Sequence, residues 1–412
     1  MRGFLEVAAA LAQELADTAI WFDGRCNWIG VSPRGEEWSS GSPRVEALGP
    51  DLYGGTSGVG VFLAEAAVKL DDDRLRATAL GAIRHAVEHA GDVSPEDRDG
   101  LYLGQIGIAY SAMRVAQALC AEEPAAAALA LLAGWRREQR RASSSDVTQG
   151  RSGAVVGLAA LDALIDQPWL ADSATALGDQ LAARAQRANE GWSWPTPGAR
   201  DMHNLCGYAH GAAGIGHAFV ELFALTGEVR FRDAAARAFD YEASWLDGST
   251  RAWPDLRGVA RRTDRSAPLV TASSWCNGAA GIALSRLRAA EVTGSEALFH
   301  DAELGIAICK TYARGVFAHE PDDFSLCHGV AGIGDVLLAA AATTEDSSAA
   351  LAADVGSWGV RQTDGFVAAG SQRGIPQGPS PGLLNGLAGI GMFYLRLSDT
   401  QVSTPLLVSG AA

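Results

Sequence analysis

Cys327-His-Gly-Val-Ala-Gly-Ile-Gly334 is one copy of a recurring phrase: two glycines three residues apart, an aliphatic residue, then an apolar run. A sister copy, Trp275-Cys-Asn-Gly-Ala-Ala-Gly-Ile282, lies one period upstream. Working outward, the glycine pair occurs seven times, at Gly55/Gly58, Gly104/Gly107, Gly150/Gly153, Gly211/Gly214, Gly278/Gly281, Gly329/Gly332 and Gly386/Gly389. Ile or Val follows the second glycine everywhere except at Ala154. Successive first glycines are between 46 and 67 residues apart, the length of a helical hairpin with its loops.

Each pair opens an apolar, helix-forming run such as Val59-Gly-Val-Phe-Leu-Ala-Glu-Ala-Ala-Val-Lys-Leu70, which predicts a mostly buried helix. Between these runs lie more polar stretches with one apolar stripe, for example Ala125 to Arg141 and Val229 to Leu246, which predict outer helices. Glycine allows close approach and a tight turn where a side chain would block packing. Almost nothing alternates with period two, so strands should be few. An open solenoid needs polar caps at its ends, yet the first and seventh copies are as clean as the middle ones. The expectation is an all-α fold, an α/α toroid of seven helical hairpins with inner and outer helix rings, all glycine pairs at one rim, forming a single domain over 1–412. An open α-solenoid is the alternative.

Hydrophobic residues make up 48% of the chain and charged ones 20%, which suits a well-packed globular protein rather than a disordered one. A net charge of −15 speaks against a nucleic-acid partner, since phosphate binding draws on clustered Lys and Arg. Met1 to Trp21 is apolar but interrupted by Glu6, Glu14 and Asp17, which reads as an amphipathic helix rather than a signal peptide. No run approaches the roughly 20 uncharged apolar residues of a membrane span. The six cysteines are widely scattered, which favours reduced thiols and the cytoplasm over a disulfide framework.

Repeat phase singles out a site. Cys276 and Cys327 stand two residues before the first glycine of their pairs, His210, Asn277 and His328 stand one before, and Asp146 stands four before. These fall in four consecutive repeats, the third to the sixth. The matching pairs elsewhere, Tyr53-Gly54, Tyr102-Leu103 and Leu384-Asn385, offer no comparable set. Two thiolates and an imidazole suit Zn²⁺, and three protein ligands without a fourth describe a site with an open coordination position. Other readings are weighed beside it. His203, Cys206 and His210 have ligand-like spacing and form a rival site. His85 and His89 read as solvated residues of an outer helix, Cys26, Cys120 and Cys309 as small core residues, and His217 and His319 as ordinary polar contacts.

Taken together, the phrases resemble the lanthionine synthetase cyclases, the LanC-like family. The likeness runs from Gly49-Pro-Asp-Leu-Tyr-Gly-Gly-Thr-Ser-Gly58 through His210-Gly-Ala-Ala-Gly-Ile215, Ser274-Trp-Cys-Asn-Gly278 and Leu326-Cys-His-Gly329 to Leu384-Asn-Gly-Leu-Ala-Gly-Ile390. The first phrase is closer to the cyclase portion of the fused bifunctional synthetases, although this chain has no room for a dehydratase or kinase portion. The resemblance implies a toroid with a central zinc held by Cys276, Cys327 and His328. It implies an activity as well, addition of peptide cysteine thiols to dehydroalanine or dehydrobutyrine to close thioether rings. His210 and Asp146 then match the acid/base histidine and its acidic companion. Asn277 departs from the Tyr or His common at its position, and Ala272 from the arginine of some members. The implied partners are a dehydrated precursor peptide and a separate dehydratase or kinase/lyase. Competing readings are addition of a small thiol such as glutathione to dehydroamino acids, a non-catalytic precursor-binding scaffold, and a toroidal glycosidase, which would need a second carboxylate opposite Asp146. The long interval 247–274, with Arg251, Arg257, Arg261, Arg262 and Arg265, is a candidate dock for an acidic leader peptide.

Overall fold

A computed structural model describes residues 3–32, 44–138, 144–197, 199, 201–261, 269–317, 323–343, 347–361 and 380–410. Seven helices follow the seven glycine pairs: α2 (Thr56–Leu70), α4 (Gln105–Leu119), α6 (Arg151–Asp162), α8 (Ala212–Thr226), α10 (Ala279–Thr293), α12 (Val330–Ala341) and α14 (Leu387–Ser398). Each packs on its predecessor and successor, and α14 returns to α2, so the series closes. These are the inner helices. In α8 every residue from Ala212 to Leu222 is buried, as a helix covered on all sides requires.

The outer helices are α3 (Asp73–Glu88), α5 (Glu122–Arg137), α7 (Trp169–Arg184), α9 (Val229–Ala243), α11 (Glu296–Val316) and α13 (Ser348–Val360), each packed on the inner helix it follows. Their apolar residues fall in stripes; α9 buries Phe231, Ala234, Ala235, Ala238 and Phe239 while Arg230, Arg232 and Arg237 stay in solvent. The seventh outer position is filled from the other end of the sequence. The amphipathic helix α1 (Phe4–Thr18) packs against α14 and completes the α/α toroid. The strands are few and short: β1 (Ile20–Phe22) with β2 (Arg25–Asn27), β3 (Ile29–Ser32) with β4 (Arg44–Ala47), and β5 (Gln186–Ala188) with β6 (Gly191–Ser193), each pair antiparallel.

The glycines act at close range on their own loops. A Cβ on the second glycine of any pair would lie 1.6 to 2.3 Å from the backbone oxygen of the residue six earlier, as at Gly107 against Leu101 and Gly281 against Trp275. The first glycine is the helix N-cap with ordinary extended φ, so space rather than handedness selects it. No side chain caps these helices. Instead the first N–H of each inner helix donates to the carbonyl seven residues back, from Thr56 to Gly49 (2.9 Å) round to Leu387 to Ser380 (2.8 Å). Main chain thus satisfies donors that a helix start otherwise leaves open.

The same loops are joined into a belt. The carbonyl two residues before each first glycine accepts an N–H from the preceding repeat: Tyr102 from Leu52 and Tyr53, Thr148 from Tyr102 and Leu103, Ala209 from Val147, Cys276 from Tyr208 and Ala209, Cys327 from Trp275, Leu384 from Cys327, and Tyr53 from Leu384. The last bond, 2.7 Å, closes the circle. Both candidate ligand cysteines are members of this belt.

Candidate metal centre

Belt membership fixes the backbones of Cys276 and Cys327, and their side chains converge. The two thiol sulfurs and an imidazole nitrogen of His328 all lie within 4.8 Å of one another, with Cys327 Sγ 3.9 Å from His328 Nε2. Among the described residues no other group of three or more His, Cys, Asp or Glu side chains converges in this way. Both cysteines are buried and His328 is half-buried, so one side of the group faces accessible space.

The surroundings favour thiolate. The Cys276 thiol is held well below its ordinary range, first by a hydrogen bond from Cys327, with His328 and Ser274 adding to it and burial opposing. Asn277 Nδ2 donates to Cys276 Sγ at 3.2 Å, and Ser274 Oγ lies 3.5 Å from the same sulfur. A hydrogen-bonded, electron-rich pair of sulfurs with one imidazole is the donor chemistry of a zinc site with an open position. Asn277, the residue that departs from the resemblance, therefore faces the sulfur of a candidate ligand, and its buried Oδ1 has no hydrogen-bond partner.

His210 and Asp146 meet. His210 Nδ1 is 2.9 Å from Asp146 Oδ2, and the other carboxylate oxygen accepts the Gln149 N–H at 2.9 Å. Thr148 Oγ1 lies 3.3 Å from Asp146 Oδ1 and 3.2 Å from His210 Nδ1, bracing both. The carboxylate at Nδ1 fixes the orientation of the imidazole ring. The pair is tied to the cysteines by the belt, since Ala209, the neighbour of His210, donates to the Cys276 carbonyl at 2.9 Å. Thr148 escapes the residue-type reading, although it stands two residues before Gly150, the offset shared by Cys276 and Cys327. Ser274 stands four residues before Gly278, the offset that Asp146 has from Gly150.

Several expectations are corrected. The rival set does not assemble: Cys206 is buried in a cluster with Tyr241, Trp245 and Leu256, and His203 sits edge-on to Trp245 at 4.7 Å. Cys120 is exposed rather than a core residue, because it occupies the left-handed C-cap of α4 with φ 51°. His85 is half-buried rather than a solvated surface residue; it contacts Asn27 and Thr56 and stacks on His89, and burial, with His89 and Arg25, pushes it down to about 4. His217 does make polar contacts, with Tyr208 and Glu221. In the basic interval, Arg257 pairs with Asp255, and Arg261 reaches Met202 and Asn204. Arg262, Arg265 and His319 lie outside the described residues.

Comparison with known proteins agrees with this architecture. Residues 46–408 match the family described as lanthionine synthetase C-like protein. Lacticin 481/lactococcin biosynthesis protein LcnDR2 of Lactococcus lactis subsp. lactis is 30% identical over 136 residues, 31% of this chain and 13% of that protein. The chain therefore matches only a small part of that relative's length. Among solved structures, nisin cyclase superposes with a TM-score of 0.64 at 16% identity, over 85% of this chain and 89% of that one. The GH76 α-mannanase BT2949 of Bacteroides thetaiotaomicron gives 0.54 at 10% identity, over 97% and 96%. These two likenesses concern the fold, and they show that one toroid carries unrelated chemistries. The family match spans most of the chain and takes in every residue of the cysteine–histidine group: the chain belongs to the lanthionine synthetase C-like family.

Proposed function

We propose that this chain, read as one domain over 1–412, is a zinc-dependent lanthipeptide cyclase that adds cysteine thiols of a dehydrated precursor peptide to dehydroalanine or dehydrobutyrine. Convergence of two buried cysteines and a histidine on one accessible side carries the reading. Cys276, Cys327 and His328 would hold the ion. A bound Zn²⁺ supplies positive charge that turns an incoming thiol, only about 3% ionised at pH 7 when free, into thiolate.

The chain's own residues supply the rest. Asn277 and Ser274 direct hydrogen bonds at the Cys276 sulfur, which steadies the charge of a two-thiolate set. Attack of the substrate sulfur on the β-carbon forms the C–S bond and pushes the alkene electrons toward the carbonyl, leaving an enolate. His210 holds at Nε2 the proton that then goes to the α-carbon, and Asp146 at Nδ1 stabilises the imidazolium beforehand. Thr148 keeps that pair in register. The thiol proton lost at binding equals the proton gained at carbon, so the reaction is a net isomerisation of the peptide.

Six free cysteines and the absence, among the described residues, of a helix long and apolar enough to cross a membrane accord with a cytoplasmic site of action. A separate dehydratase or kinase/lyase would prepare the substrate. The test is incubation of the zinc-loaded protein with a dehydrated precursor, followed by a free-thiol count and fragmentation of the product. Loss of free thiol without change in mass, with fragments missing across the new rings, is expected. Thiols that persist at the uncatalysed rate would overturn the reading.

A further inference from the structure

Beyond α14 the chain turns back and runs into the ring. Leu406 and Val408 are buried, at 0% and 3% exposure, and the segment is held by several repeats at once. Thr404 hydrogen-bonds Asp335 on α12, Tyr102 Oη donates to the Pro405 carbonyl at 2.9 Å, and the Gly410 N–H donates to Glu221 on α8 at 2.7 Å. Trp275 Nε1 donates to the Leu406 carbonyl at 2.8 Å. Tyr102 and Trp275 come from the second and fifth repeats, on opposite sides of a seven-membered ring, yet their rings meet edge to face at 5.1 Å. Each of the two side chains donates to a carbonyl of the 404–410 segment.

Trp275 is a junction. Its own carboxyl side is Cys276, its backbone N–H donates to the Cys327 carbonyl at 3.2 Å, and Gly281 clamps its carbonyl against the start of α10. Moving the indole therefore moves one ligand cysteine directly and the other through the belt. We infer that segment 404–410 is an internal strut, and that the hydrogen bond from Trp275 to Leu406 makes Trp275 a positioning residue that sets the separation of Cys276 and Cys327. The inference rests on the zinc reading above.

The experiment uses the full chain loaded with Zn²⁺ or Co²⁺, measuring the metal dissociation constant against a chromophoric chelator and the Co²⁺ thiolate charge-transfer spectrum. Trp275→Phe keeps an aromatic ring and removes the donor. Truncation after Thr404 keeps Trp275 and removes the acceptor. Either change is expected to weaken Zn²⁺ binding by about 10- to 100-fold and to alter the Co²⁺ spectrum, as loss of an outer support does at other metal sites. Tyr102→Phe, which frees the Pro405 carbonyl but keeps the ring that packs against Trp275, is expected to lower the melting temperature while leaving affinity within about threefold. Equal affinity and an unchanged spectrum in both Trp275→Phe and the truncated chain would overturn the strut. So would failure of both to fold, or an effect of Tyr102→Phe as large as theirs, since either outcome assigns the tail a merely structural role. If the unaltered chain binds no metal, the zinc reading itself fails, a distinct result.

Discussion

Cys276 and Cys309 are equally hidden from solvent, at 1% and 0% exposure, and their thiols are driven in opposite directions. Cys309 sits mid-helix on α11 among apolar neighbours, where burial pushes its thiol up to about 12. Cys26, between the β1–β2 hairpin and α3, is raised to about 12 for the same reason. Cys276 is buried at the rim, where Cys327, His328 and Ser274 outweigh burial and hold it well below the ordinary range. Depth alone does not decide what a cysteine does. The number of donors that the local backbone brings to the sulfur does.

The largest contrast is expected from removing one thiol of each kind. Cys327→Ala should abolish zinc binding and slow cyclisation on the order of 10³-fold, several kcal/mol of lost charge stabilisation, read by zinc stoichiometry and thiol disappearance. Next, His210→Asn should retain one zinc per chain but slow cyclisation by about 10²- to 10⁴-fold. Normal turnover in this variant would remove the acid/base role.

Glu221 extends the comparison to a carboxylate. Burial would raise it, but hydrogen bonds and charge from His217 and Arg288 bring it down to about 2. Because its folded value lies below the ordinary 4.5, its contribution of about 3 kcal/mol is fully present above pH 4.5. That contribution disappears as pH falls through about 2. Denaturation midpoints measured from pH 6 to pH 2.5 should fall along this window, and Glu221→Gln should flatten the fall. The smallest effect is expected at the apolar cysteine: Cys309→Ala should cost about 1 kcal/mol in a urea titration and leave zinc stoichiometry and turnover unchanged.

Much of this was legible in the sequence, for a physical reason. A ring of equivalent hairpins imposes the same steric demand seven times, and only glycine meets it, so the pattern repeats visibly. Repeat phase then locates Cys276, Cys327, His328 and His210, because equal offsets become equal places along the belt. What stayed hidden depends on contacts between distant parts of the chain. Nothing in Phe4–Thr18 says that it packs on α14 as the seventh outer helix, and nothing in 404–410 announces a buried tail. In sequence Cys120 reads as a core residue, because a helical apolar pattern does not reveal where its left-handed C-cap falls. Thr148 shares the informative offset, but a threonine hydroxyl is not a usual transition-metal donor, so residue type does not single it out. The role of Asn277 depends on a side-chain direction that spacing does not give.

The hydrogen-bonded circle through Tyr53, Tyr102, Thr148, Ala209, Cys276, Cys327 and Leu384 has a mechanical meaning. A hoop shares one circumference among all its links, so no single link can lengthen without the others giving way. The separation of the Cys276 and Cys327 sulfurs is therefore gauged partly by repeats that contribute nothing to the cysteine–histidine group. An extra residue inserted beside Leu384 or Tyr53, away from the chemistry, would be felt at Cys327 as a change of span.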